Sequence, residues 1–239
     1  MKKKILTAIV VGATMMTLTS CESPEEKAKR LAVEELMTLN ITAPQYDTQL
    51  VEESAKGSVK RMQLLLNAGA DVNTPASDGR TALIAAIQSR NPEAVKLLLE
   101  SGANLHVKNA SGETVLHMAV SGGNSNIISI LLEKGANVNE PGTSAWTPLM
   151  LAVESQNVTI IQTLIDAGAD VNVVAASGLT PLQMAAKMEN KEIVSLLLEK
   201  GADCNKFDES GSTALSEAAA RGNKDIVSLL LLNGADCNM

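Results

Sequence analysis

Five side chains in this 239-residue chain are cysteine or histidine, which ligate metals and act as nucleophiles: Cys21, Cys204, Cys237, His106 and His117. A zinc or haem centre needs several such groups at defined spacing. His106 and His117 lack carboxylate or cysteine partners at ligand spacing, so both read as structural residues. No Ser–His–Asp grouping, Gly-rich phosphate loop or pair of carboxylates stands out either. The expectation is a protein that is not an enzyme and holds no metal or cofactor. Nucleic acid fits no better, because stacking bases needs aromatic platforms and a basic groove. This chain has one Trp, one Tyr and one Phe, and a formal charge of −7. Its balance of 45% hydrophobic and 20% charged residues is ordinarily globular, and its length allows a sizeable core.

The N-terminus reads as an address. Lys2, Lys3 and Lys4 precede an apolar run over residues 5–18, shorter than the roughly 20 residues that span a bilayer and suited to a secretory signal. The run ends in Leu18-Thr19-Ser20-Cys21, which resembles the lipobox of bacterial lipoproteins. That resemblance implies a signal peptide over residues 1–20 and acylation of Cys21 as the first mature residue. Several acyl chains would anchor the protein stably in a membrane, where one alone would not. Losing residues 1–20 removes three of the 20 basic residues and none of the 27 acidic ones, taking the charge from −7 to −10. By resemblance to the enteric sorting rule, Glu22 favours the outer membrane, facing the periplasm, over the inner membrane.

What must position any site is a repeat. A Gly-Ala pair recurs at Gly69, Gly102, Gly135, Gly168, Gly201 and Gly234, 33 residues apart each time. Thr-x-Leu follows the same period at Thr81, Thr114, Thr147, Thr180 and Thr213, and so does an asparagine at 91, 124, 157, 190 and 223. Each Thr can cap a helix start, with Pro148 and Pro181 at the first helical position. Leu83, Ala86 and Ile87 then fall on one helical face. Each Asn opens a second helix, clearest at Asn91-Pro92-Glu93, whose stripe is Ala94, Val95, Leu97, Leu98 and Leu99. The Gly of Gly-Ala sits just past that helix, where a left-handed conformation ends it cheaply. Such a pair cannot bury its own faces, so neighbours must stack.

The ends depart from the pattern. The first unit keeps Thr48, Leu50, Gly57 and Gly69 in register. Ser23-Pro24-Glu25-Glu26 ahead of it is a capping-box start for a helix to about Leu39 that covers the first unit's open face. In the last unit Glu217 replaces Ala85, Met118, Leu151 and Met184, as expected of a polar outer face. Leu232 stands where Glu100, Glu133, Asp166 and Glu199 do. Cys204 and Cys237 occupy the slot of Val72, Leu105, Val138 and Val171. Equivalent positions of packed neighbours lie about 8–10 Å apart, too far for a disulfide, whose Cα atoms lie within about 7 Å. Both cysteines are therefore expected to be unbridged, small and buried.

Thr147-Pro148-Leu149-Met150-Leu151-Ala152 and Thr114-Val115-Leu116-His117-Met118-Ala119, with their period, resemble the ankyrin repeat over residues 46–239. The resemblance implies an all-α solenoid of about six helix-turn-helix repeats, a monomer, with residues 21–45 holding the lipidated cysteine and the capping helix. It gives His117 a role in bonding the inter-repeat turn. It also implies a partner protein on the concave surface of turn tips and first helices. The residues ahead of each Thr are Arg80, Glu113, Trp146, Leu179 and Ser212; first-helix candidates are Ile84, His117, Met150, Gln183 and Ser216. Trp146 and Met150, read as i and i+4 on one face, join Leu179, Val174 and Phe207 in an exposed apolar patch. A tryptophan is a favoured anchor, and the negative charge suits a basic or partly apolar partner. Ala145 stands in place of the turn glycine, with Pro141-Gly142 ahead of it, so that turn should differ in shape. The leading expectation is thus a membrane-anchored scaffold for protein–protein interaction. The alternative is a small-molecule or haem-binding accessory module of the bacterial envelope, using His106 or His117.

Overall fold

Residues 23–238 are described by a computed structural model, and the signal-peptide and Cys21 expectations lie outside them. The chain opens with α1 (Pro24–Thr38), then a 3-10 turn (Ala43–Gln45), and continues as helix pairs: α2 (Tyr46–Lys56) with α3 (Val59–Ala68), α4 (Ala82–Gln88) with α5 (Pro92–Glu100), and α6 (Val115–Ser121) with α7 (Ser125–Glu133). After a 3-10 turn (Thr143–Ala145) come α8 (Pro148–Glu154) with α9 (Val158–Asp166), α10 (Pro181–Lys187) with α11 (Lys191–Glu199), and α12 (Ala214–Ala220) with α13 (Lys224–Leu232). First helices stack α2 to α4 to α6 to α8 to α10 to α12, and α1 lies on α3 in the layer of second helices. None of the described helices is long and apolar enough to cross a membrane.

Capping chemistry sets the pair boundaries. Thr81, Thr114, Thr180 and Thr213 each accept a bond from the backbone N–H three residues on, and all five period asparagines do the same for the second helices. Thr147 is the exception: its buried hydroxyl has no partner. Ser23 and Glu26 form the capping box that starts α1. Thr48 does not behave as its register suggests. The 3-10 turn feeds straight into α2, whose N-cap is Gln45, so Thr48 sits exposed inside the helix.

The Gly-Ala glycines all hold left-handed φ between 86° and 100°, which an L side chain adopts only with strain. The turn they begin ties each unit to the next. Asn73 donates to the Gly102 carbonyl at 3.2 Å and accepts from the Asn104 N–H at 2.7 Å. Asn139, Asn172 and Asn205 repeat both bonds to the turns of Gly168, Gly201 and Gly234. At the junction between repeats 2 and 3 this position is His106, which is exposed and makes neither bond. A Lys108–Glu140 ion pair at 2.9 Å spans that junction instead, and a surface pair is worth about 0–1 kcal/mol.

The core is one continuous apolar seam from Leu36 through Leu98, Leu131, Leu164 and Leu197 to Leu230. Glu53, in the slot that Ala86 and Ala119 fill elsewhere, is buried with its charge paired to Lys56 at 2.9 Å and Arg61 at 3.4 Å. Cys204 is buried as expected, but Cys237 is exposed, and both are free thiols. The slot is covered by the following unit, and Cys237 has no such cover among the described residues. At the same end Glu217 pairs with Lys187 and Arg221, while Val227 is half-covered and Leu231 exposed. The outward face is thus not the polar cap expected of Glu217. Leu232 is 85% exposed, and nothing in the structure explains it.

Replacing His106 by Asn should restore the missing pair of bonds and raise stability by about 1–2 kcal/mol, whereas Asn172→Ala should cost about 1–3 kcal/mol. Urea unfolding midpoints measure both; equal midpoints for wild type and Asn172→Ala would contradict the role given to the asparagine. Cys237 should react with a thiol reagent in the folded protein, and Cys204 only on unfolding.

Candidate functional site

Along the stack, three positions per repeat vary in chemistry while the surrounding frame recurs. The residue ahead of the Thr cap runs Arg80, Glu113, Trp146, Leu179, Ser212, all half-buried. Four residues after the Thr come Ala85, Met118, Leu151, Met184 and Glu217. Seven after it come Gln88, Ser121, Glu154, Lys187 and Ala220, all exposed. The first row lies on the turn tips and the other two on the first helices, so together they form one side of the solenoid.

The position three after the Thr, expected to belong to this surface, is buried at Ile84, His117, Met150 and Gln183, and exposed only at Ser216 in the last unit. Met150 is 0% exposed and Gln183 1%. An α-helix advances 100° per residue, which turns this slot into the seam between repeats; the next residue is half-buried at Met118, Leu151 and Glu217 and buried at Ala85 and Met184. In the seam, a polar side chain bonds the tip of the following repeat. His117 Nε2 lies 2.9 Å from the Trp146 carbonyl, and Gln183 Nε2 donates to the equivalent Ser212 carbonyl at 2.6 Å. Ile84 and Met150 fill the slot with apolar bulk instead. Trp146 is extended backbone ahead of the Thr147 N-cap (φ −71°, ψ 133°), so the i, i+4 helical relation read for Trp146 and Met150 does not exist.

His117 shows how tightly the seam is specified. A carbonyl only accepts, so Nε2 carries the proton, and Nδ1 accepts from the Thr114 hydroxyl at 2.7 Å and the Thr114 N–H at 3.4 Å. Both ring nitrogens are occupied in the neutral form. Burial pushes its pKa below the ordinary histidine value, against the opposing pull of the Trp146 carbonyl and of Glu113 and Glu140. Gly142 makes this possible, since a Cβ there would stand 3.0 Å from Nε2. His106 is exposed on a different turn. Among the described residues no group of three or more His, Cys, Asp or Glu side chains is arranged to hold a metal ion.

Around Trp146 the tip has the altered shape that the missing glycine suggests: Ser144 and Ala145 both take left-handed φ, 57° and 59°. Thr143 bonds the Ser111 carbonyl of the preceding tip, and the Ala176 N–H donates to the Ser144 carbonyl at 2.9 Å. The result is an open cup of about 220 Å³ lined by Glu113, His117, Thr143, Ser144, Trp146, Leu151 and Glu154. Of the candidates read from sequence, the cup gathers Glu113, His117 and Trp146; Leu151 and Glu154 are additions. Val174 and Phe207, 46% and 64% exposed, sit on later tips and do not line it. Arg80 is engaged by Asp78 at 2.7 Å, and Leu179 is half-buried one repeat beyond Trp146.

A histidine whose folded pKa is depressed holds fewer protons than the unfolded chain below about pH 6.5, so stability rises with pH there and is lost on acidification. His117→Gln, which installs the residue found at the equivalent seam position 183, should flatten the loss of stability between pH 7 and 5. Thermal midpoints at the two pH values test this, and an undiminished loss in the variant would refute it.

Ankyrin-repeat family models match the chain in three copies, over residues 23–109, 102–175 and 168–239. No curated protein matches the chain. Among solved structures, it is similar to an ankyrin repeat domain from Acinetobacter baumannii, at 31% identity over 79% of this chain and 98% of that one, with a TM-score of 0.75. It is also similar to the ankyrin repeat domain of Bcl-3, a member of the IkappaB protein family, at 28% identity over 80% and 87% of the two chains, with a TM-score of 0.74. The match spans every helix pair and the leading helix as well, and the chain belongs to the ankyrin repeat family.

Proposed function

We propose that this protein is a non-enzymatic scaffold that holds a partner protein on the concave surface of its stack, anchored to the bacterial envelope through lipid on Cys21. Ankyrin repeats are general protein–protein interaction modules. The observation that carries the reading is the placement of the chain's sole Trp, half-buried in an open cup on the variable side of the repeats. Structural roles absorb the Thr, Asn and Gly frame, which leaves the tip row and the exposed row seven after the Thr for recognition, with Leu151 between them at the cup. The haem-binding alternative gains no support from His117, whose two nitrogens are both bonded.

The anchor rests on the Leu18-Thr19-Ser20-Cys21 sequence and the apolar run ahead of it. It places the domain close to a membrane surface, with the outer membrane facing the periplasm preferred for the reason given by Glu22. Cys21→Ser should abolish fatty-acid labelling and detergent partitioning, and survival of both would remove the anchor. For the interaction, the tagged chain is cross-linked in envelopes beside a Trp146→Ala/Glu154→Lys variant. A protein captured by the first and lost from the second is the expected outcome. Equal capture by both would place recognition elsewhere, and no capture by either would count against the scaffold.

A further inference from the structure

We infer that the Trp146 cup is a subsite for an arginine side chain of the partner protein. The inference rests on the concave-surface reading and adds to it the chemistry of the contact. Trp146 supplies an aromatic wall and Leu151 an apolar one, both half-buried. Glu113 and Glu154 supply two carboxylates on the same cup.

Those carboxylates lack cationic partners, which sets them apart from most acids nearby. Arg80 is taken by Asp78, Lys108 by Glu140 and Lys187 by Glu217. Glu113 accepts only a neutral bond from Asn109 Nδ2, at 2.6 Å, and has no ion pair among the described residues. Glu154 is exposed at the last turn of its helix. Glu154 at the end of α8 and Glu113 on the tip of the preceding repeat thus put uncompensated negative charge beside Trp146.

That combination selects a cation with a flat, weakly hydrated head and an apolar stem. A guanidinium stacks on an indole face and bonds carboxylates in its own plane, while its methylenes lie along apolar surface such as Leu151. A neutral polar side chain would gain neither the stacking nor the charge, and an acidic one would be repelled. The cup's volume of about 220 Å³ suits one side chain rather than a folded element, so the arginine is a single anchor within a wider contact.

Because Trp146 is the only tryptophan, its fluorescence reports on this cup alone. The full chain is titrated with the blocked pentapeptide Gly-Gly-Arg-Gly-Gly and with its citrulline counterpart, which has the same shape without the charge. The expected result is a saturable change in emission with the arginine peptide and at least tenfold weaker binding of the citrulline one. Glu154→Gln should weaken the arginine peptide about fivefold with the fold intact by circular dichroism. Asp166→Asn, removing one charge from the second-helix side, should leave it unchanged. Equal response to both peptides, equal effects of the two charge variants, or no response at all would overturn the arginine subsite. Cross-linked capture lost with the Trp146→Ala/Glu154→Lys variant would still stand in that event, so the failure of the subsite and that of the concave surface are separable.

Discussion

An ankyrin unit is incomplete by itself, and at every junction but the one at His106 the asparagine that ends the Gly-Ala turn is what completes it. One side chain offers a donor to the next glycine's carbonyl and an acceptor to a backbone N–H beside it. The two bonds fix how far and at what angle the following turn sits, and the helices on either side inherit that spacing. Burial of the Leu36-to-Leu230 seam supplies far more free energy, but apolar contact is non-directional and does not by itself choose a register. The rows of tip and first-helix residues line up because the turns behind them do.

Much of the fold was readable because three markers share one period, and each has a local physical cause: a Thr cap, an Asn cap, a left-handed Gly. The site was less readable. Choosing the position three after each Thr as surface selected Met150 and Gln183, where the position four after it, Leu151, was needed. One residue on a helix is a rotation of about 100°, and a short helix of small apolar residues leaves its solvent face poorly marked. Gln183 belongs to the seam for the same reason as His117: both carry a donor to the carbonyl that starts the next repeat. Glu154 carried one available signal, since Gln88, Ser121 and Lys187 fill its slot and all are polar. Cys237 is exposed because none of the described units covers its slot, and Thr48 lies inside α2 because the turn ahead of it already starts the helix.

Seam and surface are coupled at Trp146. Its indole forms a wall of the cup while its carbonyl is held by the buried His117 ring, and Gly142 leaves the room that ring requires. The cup is therefore positioned by a neutral imidazole in the preceding repeat, which ties the backbone of this tip to the buried seam. Under the proposed reading, a tip held in this way would bind with a smaller ordering cost. The same repeat carries the altered tip geometry at Ser144 and Ala145, so the departures from the common frame are concentrated where the surface is most distinctive.

His106 sits between that cup and the N-terminal end. A stacked array behaves as a series of nearest-neighbour couplings, and a series loaded along its length yields at its weakest member. For a chain held near residue 23 and pulled through a contact at repeat 4, the turn junction lacking its asparagine clamp lies in the load path. Tension would then part the stack between repeats 2 and 3, leaving the four C-terminal repeats, with the cup among them, as one intact block.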